Sequence, residues 1–144
     1  MAERPFERRY RLIDHTADIG FELDAPTLKE LFVRSAEALL SVIADLSKVE
    51  ERVTYVVQAD GFNREELLVA FLGEVLYLHD SEDLVFCRVE IHEGPNGGVI
   101  ASLHGEKFDA ERHSILRQIK AVTYHDIMVR EKNGTWEARV ILDI

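Results

Sequence analysis

The chain has 144 residues, 47% of them hydrophobic, which is enough to bury the core of one globular domain. Aspartate and glutamate outnumber lysine and arginine by 27 to 17, and the resulting net charge of −10 argues against tight direct binding to nucleic acid. No apolar run reaches the length of a transmembrane helix, the N-terminus has no signal-peptide pattern, and Cys87 is the single cysteine. We therefore expect one domain over residues 1–144, in the cytoplasm, with no membrane partner and no internal disulfide.

Phe6–Ile13 and Asp18–Asp24 have the patterns of strands, and the short polar segment between them predicts a strand pair. Thr27 and Glu30 then form a capping box, in which both side chains satisfy backbone donors at the start of a helix. This helix is predicted to run to about Leu46. Its apolar face consists of Leu28, Leu31, Phe32, Ala36, Leu39, Leu40 and Ile43.

A strand at Arg52–Ala59 separates this helix from a second one. Asn63 and Glu66 cap the second helix in the same way, and it is predicted to run to about Asp80. Its wide apolar face consists of Leu67, Leu68, Phe71, Leu72, Val75, Leu76 and Leu78.

The rest of the chain is mainly strands. Gly94–Gly98 and Lys132–Gly134 are strong hairpin signals. The strands that they connect are Leu84–His92 with Val99–Leu103, and Ile119–Glu131 with Trp136–Leu142. Without a repeat or a linker, this order predicts an α+β fold: a single mixed or antiparallel β-sheet with two amphipathic helices packed on it.

Several common catalytic and cofactor motifs are missing from the sequence. No glycine-rich phosphate loop opens a helix, and neither Cys-x-x-Cys nor His-Glu-x-x-His occurs, so a structural or hydrolytic zinc site has no support. The Gly-x-Ser-x-Gly motif of serine hydrolases is also missing. Function must therefore be sought in three polar segments.

The first polar segment is Asp14–Asp18, which contains two carboxylates, the His15 imidazole and the Thr16 hydroxyl at the junction of two predicted strands. A rigid sheet can hold such side chains at fixed distances. The alternative is a turn in which Asp14 or Thr16 satisfies backbone donors.

The second polar segment is Lys120–Asp126. In a regular strand Lys120 and His125 face opposite sides, unless a bulge intervenes. The structural alternative is an edge strand whose polar side chains point outward.

The third polar segment is Asp143–Ile144. Val140–Leu142 is too apolar to lie in water, which predicts that the sheet holds this part of the chain. The carboxylate of Ile144 then lies beside the Asp143 side chain, and oxygen ligands of this kind suit Mg²⁺, Mn²⁺ or Ca²⁺. Lys120 is the candidate to neutralise these carboxylates if no metal is bound.

Three motifs occur in order along the chain: His15-Thr16-Ala17-Asp18-Ile19-Gly20, Lys120-Ala121-Val122-Thr123-Tyr124-His125 and Val140-x-x-Asp143-Ile144. Together with the two helices they resemble the archease family over essentially the whole chain. The resemblance implies a small cytoplasmic α+β protein that assists the RNA ligase of tRNA splicing.

The resemblance also implies what this partner does. The ligase joins a 2′,3′-cyclic phosphate or 3′-phosphate end to a 5′-hydroxyl through a guanylylated histidine, using GTP and a divalent metal. An archease is expected to be a non-catalytic activator that promotes guanylylation, allows multiple turnover and broadens nucleotide use. The tRNA-splicing RNA ligase is thus the expected protein partner.

The metal site implied by the resemblance uses the residues that correspond to Asp18, Asp143 and Ile144, all of which lie in the polar segments above. Ca²⁺ is the expected cation, with Mg²⁺ or Mn²⁺ as alternatives. Supporting candidates at the same place are Asp14, His15, Lys120 and His125.

Two other functions stay open from the sequence. A general, chaperone-like modulator of nucleic-acid-processing proteins would need an exposed apolar patch, and no sequence pattern indicates one. A metal-dependent phosphoryl hydrolase would need a phosphate cradle, and no motif for one is present. Its candidate residues are Asp14, His15, Asp18 and Asp143.

Overall fold

The computed structural model describes residues 10–15 and 18–144, with the backbone alone for Asp14 and His15. Within these residues the chain forms two α-helices and eight strands. The helices are α1 (Leu28–Ile43) and α2 (Arg64–Glu82). The strands are β1 (Arg11–His15), β2 (Asp18–Ala25), β3 (Val53–Ala59), β4 (Leu84–Glu93), β5 (Val99–Lys107), β6 (Ala121–Val122), β7 (Met128–Lys132) and β8 (Thr135–Asp143). Residues 6–9, which belong to the first predicted strand, lie outside the described part.

The strands form two antiparallel sheets. The first has the order β1-β2-β8-β6, and β7 also pairs with β8. The second has the order β3-β5-β4. The α+β class, with antiparallel strands and two helices, is confirmed, but the strands divide into two sheets where the sequence predicted one.

Helix α1 explains this division. It contacts β2 and β8 of the first sheet and β4 of the second. A helix that is buried on more than one side needs a packing layer on each of those sides. Its buried residues are Leu31, Phe32, Ser35, Ala36, Glu37, Ala38, Leu39, Leu40, Val42 and Ile43.

Both predicted helix starts are confirmed. The Thr27 hydroxyl accepts a hydrogen bond from the Glu30 amide at 3.1 Å, and the Asn63 side chain accepts one from the Glu66 amide at 2.8 Å. Side chains from the two helices and from both sheets share one buried cluster. No helix in the described part of the chain is long and apolar enough to cross a membrane.

Helix α1 ends at Ile43, three residues before the predicted end. Ala44 is extended and forms a bridge with Ile115, so the backbone has already left the helix. Asp45 then caps a short 3₁₀ turn, with its carboxylate accepting from the Ser47 amide at 3.1 Å.

The two predicted hairpins are also confirmed. Asn133 and Gly134 have positive φ angles of 55° and 78°, as the two-residue turn between β7 and β8 requires. Asn96 and Gly97 have similar angles in the turn between β4 and β5. These residues tolerate the left-handed conformation better than others do.

Two glycines allow a direct test of how closely the strands approach. A Cβ at Gly105 in β5 would lie 1.9 Å from the carbonyl oxygen of Val85, whereas a Cβ at Gly73 in α2 would meet nothing within 4 Å. We predict that Gly105→Ala lowers the free energy of unfolding by about 2 kcal/mol or more, because β4 must move away. Gly73→Ala should raise it by about 0.5–1 kcal/mol, because alanine favours a helix. Urea denaturation measures both values, and equal effects would contradict the close contact.

Candidate functional site

One end of the first sheet carries a row of four residues from four neighbouring strands. The register pairs His15 with Asp18, Asp18 with Asp143, and Asp143 with Ala121. We call these four residues the terminal row. Because directly paired residues of antiparallel strands project from the same face, Asp18 and Asp143 are side-chain neighbours, with Cβ atoms about 4.5–5.5 Å apart.

The Asp18–Asp143 pair is electrostatically unfavourable without a counter-charge. Both residues are half-buried, and like charges placed directly opposite each other destabilise a sheet. Within the described residues, no side-chain hydrogen bond or ion pair is seen for Asp143. Ala121, its neighbour on the other side, adds only a methyl group and no charge.

The donor atoms of the terminal row suit a hard cation. Carboxylate oxygens are the ligands that Ca²⁺, Mg²⁺ and Mn²⁺ prefer. In the part of the chain that is described, no three histidine, cysteine, aspartate or glutamate residues are grouped as metal ligands. The chemistry of the Asp18 and Asp143 side chains fits a hard cation, and the two residues are neighbours in the register.

The backbone brings two further predicted residues to this end of the sheet. The Lys120 amide donates a hydrogen bond to the carbonyl oxygen of Asp143 at 2.7 Å, while the Lys120 side chain is exposed. Among the described residues its amino group forms no ion pair. Ile144 follows directly after β8 and is 42% exposed.

For Asp14 and His15, the two remaining candidates near the start of the chain, the structure gives the backbone pairing. His15 is a member of the terminal row, and Asp14 pairs with Ile19, one residue along β2. Thr16 and Ala17 lie outside the described residues. The alternative of a local turn around Asp14 and Thr16 therefore stays open.

The predicted strand Ile119–Glu131 is wrong in its middle. Its regular parts are β6 and β7, and residues 123–127 form a turn in which Asp126 has a positive φ of 52°. Thr123 starts the turn, since both its amide and its hydroxyl donate to the carbonyl oxygen of Ile141, at 3.1 and 2.9 Å. A left-handed residue cannot continue a β-ladder, so the strand alternation does not extend beyond this point.

His125 lies in this turn at the edge of the first sheet. Its amide donates to the Thr123 hydroxyl at 3.3 Å, and its Nε2 lies 3.5 Å from an Asp126 carboxylate oxygen. The side chain is exposed. The structure thus places His125 on the same edge as β6, but the described contacts do not join it to Asp143.

No sequence motif indicates Glu106, a buried carboxylate that anchors the loop leading to Lys120. Its side chain is 4% exposed and accepts from the Glu50 amide at 2.7 Å. Arg112 binds it in a bidentate manner, and His113 Nε2 lies 3.0 Å from it. The Arg112 guanidinium is the main cause that lowers the Glu106 pKa to about 2.

The tautomer of His113 follows from the contacts of its two ring nitrogens. Its Nδ1 accepts a hydrogen bond from the Asp109 amide at 2.9 Å, so the proton of the neutral ring is on Nε2 and is donated to Glu106. Further along the loop, the Leu116 amide donates to the carbonyl oxygen of Ile43 at 2.7 Å. The loop is therefore fixed to β5 and to the end of α1 before it enters β6.

Comparison with known proteins gives a consistent result. The family described as the Archease protein family (MTH1598/TM1083) matches residues 10–144. A protein archease of Pyrococcus furiosus is 40% identical over 141 residues, which cover 95% of this chain and 99% of that protein. A protein archease of Aeropyrum pernix is 35% identical over 136 residues, covering 91% and 94%.

Two solved structures are similar in fold. The solution structure of protein 1598 from Methanobacterium thermoautotrophicum superposes with a TM-score of 0.71 at 30% identity, covering 94% of this chain and 98% of that one. The crystal structure of an archease from Thermotoga maritima, described as a possible chaperone, gives a TM-score of 0.63 at 18% identity. It covers 93% of this chain and 96% of that one, and at this identity it supports the fold alone.

The stability of the chain should depend on the charge of Glu106. Because its pKa falls from 4.5 to about 2 on folding, its contribution is complete above pH 4.5 and is lost as the pH falls towards 2. We predict that Glu106→Gln lowers the free energy of unfolding by about 2–3 kcal/mol at pH 7, since it breaks a buried ion pair. The difference from the unmodified chain should shrink below pH 4.5. Thermal unfolding across this range measures it, and a constant difference would contradict the assigned ion pair.

Proposed function

The chain belongs to the archease family, and we propose on that premise that it activates the GTP-dependent RNA ligase of tRNA splicing without being a catalyst itself. In this proposal it promotes guanylylation of the ligase and allows repeated turnover. It acts through a divalent cation held at the terminal row, where the chain meets the ligase.

The observation that carries the proposal is the direct pairing of Asp18 with Asp143. Two residues that are 125 positions apart in sequence number, 143 minus 18, become neighbours on one face of the sheet. Folding alone does not need two carboxylates opposite each other, because such a pair costs stability. A bound cation would neutralise the repulsion between the two carboxylates, which accounts for their being opposite each other.

Asp18, Asp143 and a main-chain oxygen of Ile144 are the proposed ligands of the cation. Ca²⁺ is the first choice, and Mg²⁺ or Mn²⁺ are the alternatives, since all three take oxygen ligands. When bound, the cation supplies positive charge that can stabilise phosphate oxygens. Lys120, whose backbone is tied to Asp143, adds a second positive charge at the same end of the sheet.

The charge of the chain supports a protein partner over RNA itself. A net charge of −10 repels a phosphate backbone and attracts the basic surface that an RNA ligase must present to its substrate. The terminal row, at one end of the first sheet, can then reach the GTP site of the ligase, or it can favour the ligase conformation that reacts with GTP. If the row reaches the GTP site, the activation depends strongly on which cation is bound. If it favours a ligase conformation, the activation depends only weakly on the identity of the cation.

A general chaperone is the second candidate, and the exposed aromatic side chains favour it. Phe62 is 98% exposed and Tyr77 is 65% exposed. A solved archease at low identity is itself described as a possible chaperone. Suppression of aggregation of unrelated proteins, lost on Phe62→Ser but kept on Asp143→Asn, would favour this function over ligase activation.

Cation binding at the terminal row should stabilise the fold. A ligand present at 100 times its dissociation constant raises the free energy of unfolding by about 2.7 kcal/mol, and we predict a gain of this order with Ca²⁺. Asp18→Asn and Asp143→Asn should abolish the gain. Asp24→Asn, at the other end of β2, is the matched control and should keep it. A thermal shift with and without Ca²⁺ measures this, and an equal gain in all four proteins would place the cation elsewhere.

Ligase activation should follow the same residues. We predict that the unmodified chain accelerates single-turnover guanylylation of its ligase by GTP and Mn²⁺ at substoichiometric amounts. Asp18→Asn and Asp143→Asn should lose about 100-fold of this acceleration, while Asp24→Asn keeps it. Hydrolysis of a generic phosphoester by the chain alone with Mg²⁺ or Mn²⁺ is the control for a phosphoryl hydrolase. Full stimulation by Asp143→Asn would contradict the metal-site proposal.

A further inference from the structure

Strand β3 is an edge strand without the usual protection against pairing. Its seven residues, Val53–Ala59, include no charged residue and no proline. It pairs with β5 on one side, and within the described residues no strand pairs with its other side. An unpaired edge presents backbone donors and acceptors that can bind another extended segment.

The other sheet edges in the described part of the chain differ from β3. β1, β4 and β7 carry charged residues, which discourage edge-to-edge pairing, and β6 has only two residues. β4 also has an irregular register between Phe86 and Arg88. The charged residues are Arg11 and Asp14 in β1, Arg88, Glu90 and Glu93 in β4, and Arg130, Glu131 and Lys132 in β7. Among these edge strands, β3 alone is both longer than two residues and free of charged residues.

Exposed apolar side chains occur on β3 and on the helix that packs against it. Val56, in the middle of the strand, is 64% exposed on the outer face of the second sheet. Helix α2 packs against β3, and its Tyr77 is 65% exposed. Gly73, one helical turn earlier, has open space in front of it. A partner strand that pairs with β3 would thus cover the strand edge and the exposed Val56 side chain.

We propose that β3 pairs with β3 of a second copy of this chain, antiparallel and about a two-fold axis at Val56. This pairing joins the two second sheets into one six-stranded sheet, with an interface that is the same for both copies. It goes beyond the proposed ligase activation and does not depend on it. The terminal row belongs to the other sheet, so the dimer carries two such rows.

The sequence of β3 is complementary to itself in this register. The cross-strand pairs become Val56 with Val56, Tyr55 with Val57, Thr54 with Gln58, and Val53 with Ala59. Apolar residues then lie opposite apolar ones and polar opposite polar, and residues on one face stay on that face. The exposed Val56 side chain is buried against its own copy at the axis.

The residues that flank β3 favour the same register through their charges. Arg52 of each copy lies opposite Asp60 of the other, which places two opposite-charge pairs at the ends of the interface. Asp60 is exposed, and among the described residues it has no ion pair. Arg52 already contacts Glu50 and Glu106, and its guanidinium has five N–H donors, enough to bind one more carboxylate. An axis one residue earlier, at Tyr55, would instead place Glu50 opposite Asp60, which is a repulsive pair.

Sedimentation velocity over a wide concentration range tests the dimer. We expect a concentration-dependent dimer for the unmodified chain. Val56→Lys should weaken dimerisation at least about tenfold, because two ammonium groups then meet at the axis. Ser102→Lys is the matched control: Ser102 pairs with Val56 on the central strand, so it adds the same charge on the same face away from the edge. Far-ultraviolet circular dichroism establishes that both variants fold.

Disulfide formation tests the register. In Val56→Cys the two new thiols meet at the axis, where paired Cα atoms lie about 4.5–5.5 Å apart, within the range that a disulfide spans. Thr54→Cys is the control, because its own copy is four residues away along the partner strand, about 13 Å. The native Cys87 should not interfere at pH 8, since burial raises the pKa of its thiol to about 11. We expect covalent dimers of Val56→Cys and none of Thr54→Cys.

Three results would overturn the proposal: a monomer at all concentrations, dimerisation of Val56→Lys as strong as that of Ser102→Lys, or equal cross-linking of the two cysteine variants. A monomer that binds an extended peptide along β3 would also overturn it, since the edge would then serve another protein.

Discussion

The pairing of β8 with its neighbours is the constraint on which the candidate site depends. This strand pairs with β2 along one edge and with β6 and β7 along the other. Because side chains alternate between the faces of a sheet, a slip of one residue would move Asp143 to the opposite face and separate it from Asp18. The buried side chains of Ala138, Val140 and Leu142 oppose such a slip, since it would expose them to water.

Gly20 adds a steric reason for the same register. It lies opposite Ile141, and a Cβ at this position would lie 2.6 Å from the Ile141 Cδ1 atom. The isoleucine side chain therefore fills the space that the glycine leaves, two residues from Asp18. Packing in the middle of the strands thus determines where the carboxylates meet at their end. The other side of Asp143 is built differently, by a loop that Glu106 holds to the second sheet before the chain enters β6.

The features that sequence could predict are those that depend on neighbouring residues. Thr27 and Asn63 cap helices because their own side chains reach the backbone three residues ahead, and Asn133-Gly134 turns because of its own φ preference. The burial of Glu106 and the turn at Thr123 depend on residues far away in sequence, Glu50 and Ile141, and no local pattern marks them.

The division into two sheets is indicated by one local feature of the sequence. Ala38 and Val42 extend the apolar surface of α1 beyond a single stripe. The sequence predicts Asp18 and Asp143 as metal ligands, and the structure pairs them in neighbouring strands, while the metal site itself stays a prediction.

The central claim is that the Asp18–Asp143 pair holds a divalent cation, and crystals grown with Mn²⁺ test it most directly. The expected result is an anomalous-scattering peak within about 2.0–2.6 Å of a carboxylate oxygen from each of the two aspartates. Crystals of Asp143→Asn should lack the peak. Well-ordered aspartates with no peak between them, or the same peak in Asp143→Asn, would contradict the claim.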